Sequence, residues 1–182
     1  MFWYKLRPAV VIILLMAASC KPEVKDDNGK LKYFDLKKYF NNEAARLTRQ
    51  YQHINKTVSY NGQQETKNVT IKHWQQELNS FIESDVNKAA WKDSYIQKAE
   101  HAYAISYIAL DTTLHTRRIE IFFEPRNNTK VEKIEISNFT SNMLYKTKEQ
   151  LVYVPDSIYV IEKNQKVRLL GNNDYKITGK FN

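Results

Sequence analysis

Residues 117–124 read Arg117-Arg118-Ile119-Glu120-Ile121-Phe122-Phe123-Glu124, and this stretch decides the class of fold. Ile119, Ile121 and Phe123 fall on one side of an extended chain and Arg118, Glu120 and Glu124 on the other, the period of a strand with one dry and one wet face. The alternation returns over residues 175–181, where Tyr175, Ile177, Gly179 and Phe181 oppose Lys176, Thr178 and Lys180. Working outward, further strands are predicted over 103–110, 131–139, 144–154, 157–162 and 166–170. The connections between them are short and turn-like: Pro125-Arg126-Asn127-Asn128, Pro155-Asp156, Asn164-Gln165 and Gly171-Asn172-Asn173-Asp174. They suit an antiparallel meander, because parallel crossovers require about a dozen residues each.

Upstream the period changes. Over residues 34–51 the apolar positions Leu36, Tyr39, Phe40, Leu47 and Tyr51 share one helical face, Asp35 stands where an N-cap belongs, and Phe34 and Tyr39 are spaced as a hydrophobic staple. Tyr60-Asn61-Gly62-Gln63, between β-favouring flanks, is a two-residue hairpin signal. Trp74, Leu78, Phe81 and Ile82 then recur at helical spacing, which predicts a second helix through Glu83. Residues 84–98 read as a connection, with Ala89-Ala90-Trp91 as a docking point. The fold class that follows is α+β, with two N-terminal amphipathic helices packed on a curved, mostly antiparallel meander sheet of about seven to nine strands.

Leu, Ile, Val and Phe supply 47 of the 182 residues, enough apolar side chain for a folded core. The four glycines are Gly29, Gly62, Gly171 and Gly179, too far apart for either glycine-rich phosphate loop. The formal charge of +8 is dispersed along the chain. In an exported protein it meets anionic glycolipid or polysaccharide, and no nucleic-acid partner is expected.

At the N-terminus, Lys5 and Arg7 precede an apolar run over residues 9–18, too short to cross a bilayer, which needs about 20 residues in a helix. Ala17-Ala18-Ser19-Cys20 follows, and Cys20 is the sole cysteine of the chain. This segment resembles a bacterial lipobox, with Ala17 where Leu is usual. Plain A-x-S cleavage leaving a free thiol, or an uncleaved anchor, are the alternatives. The resemblance is to small bacteroidete-type outer-membrane lipoproteins of Gram-negative bacteria. It implies a signal peptide over 1–19, a lipidated Cys20 and flexible tether over 20–32, and a single α+β domain over 33–182. Lys25-Asp26-Asp27 is similar to the export signals that carry such lipoproteins to the outer leaflet. The implied location is the cell outer membrane, with the leaflet left open.

Candidate chemistry is sparse. His53, His73, His101 and His115 fall in no local metal-ligand spacing, and there is no G-x-S-x-G. His73 with Glu77, and Asp111 with His115, read first as surface hydrogen bonding and turn chemistry. Glu120, Glu124, Glu132, Glu135 and Glu162 alternate with cations as solubilising charge. No catalytic residue, cofactor or metal ligand is assigned.

Tyrosine is abundant, at 12 residues. An inward face bearing Tyr103, Tyr107, Ile119, Ile121, Phe123, Tyr145 and Tyr153 could bind sugar or lipid, or else be core and rim packing. Asp111-Thr112-Thr113 and Asp156-Ser157-Ile158 resemble the periplasmic O-glycosylation signal of the same bacterial group, which makes Thr112 and Ser157 acceptors. The expected function is a membrane-anchored, non-enzymatic binding or assembly module of the envelope, with an envelope protein, glycan or lipid as partner. Element order also resembles the half-barrel of lipid and lipoprotein carriers, in which an open concave sheet holds an acyl chain. A hydrolase stands behind both readings.

Overall fold

A computed structural model of the chain describes residues 30–50 and 53–181. The residues read as a signal segment, Cys20 and most of those read as a tether lie outside the described residues. Helix α1 (Leu36–Gln50) is followed by strands β1 (Ile54–Tyr60) and β2 (Gln63–Val69), and then by the short helices α2 (Trp74–Glu77) and α3 (Asn79–Glu83). After a 3-10 turn at Ala89–Trp91 come β3 (Tyr95–His101), β4 (Ala104–Ala109), β5 (Thr116–Glu124), β6 (Asn127–Ser141), β7 (Tyr145–Val154), β8 (Ile158–Val167) and β9 (Gly171–Phe181). All nine strands form one open antiparallel sheet in the order β2-β1-β9-β8-β7-β6-β5-β4-β3. From β3 to β9 each strand pairs with the next, and β1 then closes onto β9 with its hairpin partner β2 outside it.

Local chemistry explains the elements. At the start of α1 the Lys38 N–H donates to Asp35 Oδ1 at 2.8 Å, and the Phe34 and Tyr39 rings meet at 5.6 Å, so cap and staple both form. Leu36, Phe40, Ala44 and Leu47 form its buried stripe. Asn61 (φ 48°) and Gly62 (φ 85°) take the left-handed backbone of a type I′ turn, and Tyr60 pairs with Gln63 across it.

Four readings are corrected. The second helix is not continuous through Glu83. The chain bends at Leu78 (φ −94°, ψ 12°), so Trp74, Leu78 and Phe81 all reach the core from two short helices. The connection over 84–98 contains a strand, β3, at the sheet edge, where its side chains are nearly all exposed and no apolar alternation marks it. Asn164-Gln165 and Gly171-Asn172-Asn173-Asp174 are not turns: β8 runs through the first, β9 starts with the second, and the chain reverses between Val167 and Gly171. Tyr103, expected on a strand, sits in the turn between β3 and β4.

The core is one cluster between the helical segments and one face of the sheet. Leu36, Phe40, Leu47, Leu78 and Phe81 are fully buried against Ile119, Ile121, Ile134 and Tyr153, and Phe40 meets Phe81 and Tyr153 at ring distances of 4.8 and 5.2 Å. Two tyrosines that pair across β7 and β8 tie helix to sheet. Tyr153 donates to Glu43 of α1, which Arg46 holds at 2.8 and 2.9 Å. Tyr159 donates to Glu77 of α2 at 2.7 Å, and Lys56 of β1 pairs with the same carboxylate at 2.7 Å. Burial, with the carboxylate beside each ring, pushes both phenols well above the usual tyrosine range.

Candidate functional site

The face that carries the core can be read in cross-strand rows. Lys56, Gly179, Tyr159, Tyr153, Ile134, Ile121 and Ile105 are successive partners from β1 to β4. The next row is Val58, Ile177, Ile161, Leu151, Ile136, Ile119 and Tyr107. One step further along the strands the row turns polar: Tyr60, Tyr175, Lys163, Glu149, Asn138 and Thr116. The row beyond that brings Asn173, Gln165, Thr147 and Thr140 together. The same face is therefore oily where the helical segments lie and polar where β6–β9 run on past them.

In the polar part, His115, Asn138, Thr140, Tyr145, Thr147, Glu149, Lys163 and Gln165 line a cavity of about 120 Å³, room for about four waters at ~30 Å³ each. Its floor is Asn138, only 3% exposed. The Asn138 amide donates to Ser84 Oγ at 2.8 Å and to Glu149 Oε2 at 2.9 Å, while its Oδ1 is buried and has no hydrogen-bond partner among the described residues. Glu149 is held from its other side by Ser80 Oγ at 3.2 Å. His115 Nδ1 lies 2.9 Å from Thr140 Oγ1, and Gln165 donates to Thr147 at 3.3 Å. Desolvation lowers the His115 pKa; Glu149 opposes this, and Lys88, Lys163 and Arg117 add to it. Beside the cavity the row ends in Tyr60 and Tyr175, rings 4.8 Å apart and each a little under half exposed, with Tyr60 donating to Asn173 at 2.9 Å. A fixed carboxylate, a lysine, neutral amide and hydroxyl groups and two ring faces can recognise a hydroxylated ligand.

The residues expected to form a ligand face are distributed differently. Ile119, Ile121 and Tyr153 are fully buried and Tyr107 is 4% exposed, so the helical segments fill the space an acyl chain would need. Tyr107 also accepts the Phe34 N–H at 3.1 Å. Phe123 is half-buried against Phe34, Tyr103 is exposed in its turn, and only Tyr145 reaches the cavity. Thr112 and Ser157 both lie in exposed turns. Asp111 caps its turn by accepting the Thr113 N–H at 2.7 Å, and Glu77 pairs with Lys56 and Tyr159. Glu120, Glu124, Glu135 and Glu162 each pair with a lysine or arginine.

A larger groove of about 490 Å³ runs between α1 and residues 72–76, over the buried Trp74. It brings no carboxylate to its walls. Among the described residues no group of three or more His, Cys, Asp or Glu could hold a metal ion, and no helix is long and apolar enough to cross a membrane.

The sequence signal for Asn138, Glu149 and Lys163 was phase. Each lies two residues from an inward apolar side chain, Ile136, Leu151 and Ile161, so each faces the same way, yet as single polar residues they carry no motif. No protein-family model, curated protein or solved structure matches this chain.

Proposed function

We propose that the protein is a lipid-anchored cell-envelope module that binds without chemistry, and that its ligand, a hydroxylated molecule of the glycan class, seats on the polar row from Tyr60 to Asn138. In this reading the helical segments close one end of a curved sheet, leaving the other end as the binding face. The observation that carries it is the cavity itself, where the inward face runs past the helical segments and is lined by Asn138, Thr147, Glu149, Lys163 and Gln165, with Asn138 and Glu149 fixed by hydrogen bonds. Polar side chains already held in place by their neighbours meet a ligand hydroxyl without losing further rotamer freedom. The half-barrel carrier has less support, because the acyl-sized space is filled by Phe40, Phe81 and Leu78. A hydrolase has less again: the two titratable groups closest to acid-base chemistry, His115 and Glu149, bond to Thr140 and to Ser80 and Asn138, not to each other.

Two experiments test the parts separately. For the anchor, Cys20→Ser should leave an uncleaved precursor or release the protein from the membrane fraction. Unchanged processing with retention on membranes would reject lipidation. For the site, oligosaccharides released from Gram-negative envelopes should bind the wild type and lose about tenfold or more in affinity with Asn138→Ala or Lys163→Glu. Equal binding by both variants would remove the site.

A further inference from the structure

At the end of the strands where the helices are absent, two neighbouring hairpin tips carry the most exposed large apolar side chains among the described residues. Met143 and Leu144, between β6 and β7, are 84% and 70% exposed, and Leu169 and Leu170, between β8 and β9, are 91% and 81% exposed. The tips are joined, with the Arg168 N–H donating to Leu144 O at 3.0 Å and Tyr145 paired with Val167. Turn formation does not require these side chains. Asn142 Oδ1 accepts the Leu144 and Tyr145 N–H groups at 2.9 Å each, and Gly171 supplies the left-handed backbone (φ 87°). Four bulky apolar groups held together in water mark a contact surface.

Around them lies positive charge. Lys146 and Lys166 are direct cross-strand partners, a like-charge pair that normally destabilises a sheet, and Arg168 and Lys148 stand beside them. Among the described residues none of these four cations makes a salt bridge; Asp174, which lines the same groove, receives an Asn164 hydrogen bond at 2.8 Å. An apolar tip with a cationic collar has the chemistry of an anionic bilayer surface, with carbon entering the interface and ammonium groups meeting phosphate.

The path of the chain agrees. Residues 32–33 dock on Lys92, Asp93 and Tyr95, at the start of β3, and this is the same end of the antiparallel sheet as the two tips. The ten residues from Cys20 to Lys30 span at most about 35 Å, so a lipid anchor at Cys20, as proposed above, would keep this end within reach of the membrane.

We propose that the 142–144 and 168–170 tips dock on an anionic phospholipid bilayer, inserting Met143, Leu144, Leu169 and Leu170 at headgroup depth. The full chain carrying Cys20→Ser, so that an introduced thiol is the sole one, is labelled with an environment-sensitive dye at Leu169→Cys or, at the opposite end, at Arg126→Cys. It is mixed with phosphatidylcholine vesicles with or without 30% phosphatidylglycerol (roughly the anionic fraction that makes lysine attraction strong), doped with a shallow lipid-borne nitroxide. Because the readout is local, it does not depend on what the N-terminal segment does. Quenching should be several-fold stronger at 169 than at 126 on the anionic vesicles. It should fall to the 126 level when Lys146, Lys166 and Arg168 are all changed to Glu, with the far-ultraviolet spectrum unchanged. Equal quenching at the two positions would overturn the proposal. So would quenching at 169 that survives charge reversal, or a dye shift that needs protein concentration and no vesicles, which would mean that tips meet tips.

Discussion

Gly179 has no side chain because the Tyr159 ring takes its place: a Cβ there would lie 2.0 Å from Cε1 and 2.3 Å from Cζ. The ring cannot swing aside, since it is fully buried and its hydroxyl is bonded to Glu77. Gly179→Ala is expected to cost about 1–3 kcal/mol by overpacking, read from urea denaturation, and to cost less in a Tyr159→Leu background. At His115 the sign of a pH effect can be worked out. Its folded-state pKa lies below the unfolded value of about 6.5. The unfolded chain therefore binds more protons in the window beneath that value. Stability is fully present above it and is lost as the pH falls through the folded pKa. Urea midpoints at pH 7.5 and pH 5 should show the wild type losing more stability on acidification than His115→Gln. An equal loss in both would remove the desolvated imidazole from the cavity mouth. Both predictions concern residues whose type was plain in the sequence and whose consequence was not: the sequence places Gly179 on a strand, but the neighbour that forbids a methyl group lies 20 positions away on β8.

At the scale of elements, legibility tracked local chemistry. The start of α1 could be read from three residues, because Asp35, Phe34 and Tyr39 act within one turn. The β1–β2 hairpin could be read from Asn61-Gly62 for the same reason. Asp35→Ala should lower stability by about 1 kcal/mol through loss of the cap, with a smaller loss for Asp35→Ser, measured by thermal or urea unfolding. Elements set by long-range pairing do not show in local composition. Gly171-Asn172-Asn173-Asp174 has turn composition, yet it is strand because residues 164–167 of β8 pair with it. β3 has no alternation to find, because an edge strand exposed on both faces needs none. At α2 and α3 the helical period was visible, but a period cannot distinguish one straight helix from two turns bent at Leu78.

For the whole molecule, the inward face was legible and its division into two parts was not. Alternation identifies Ile119, Ile121 and Phe123 as one face; which stretch of that face the helical segments cover depends on chain lengths and packing that no window of sequence contains. The boundary between the two parts runs across the sheet between the Leu151–Ile136 row and the Glu149–Asn138 row. The most direct test is an amide and methyl NMR titration with two ligands, an envelope oligosaccharide and a long-chain fatty acid. The expected result is that the oligosaccharide shifts the Asn138 side-chain amide, His115, Thr147 and Gln165, while the methyl groups of Ile121 and Ile134 stay unperturbed by either ligand. Stoichiometric fatty-acid shifts centred on Ile121 and Ile134, with none at Asn138, would contradict it and make the space under the helices the binding site.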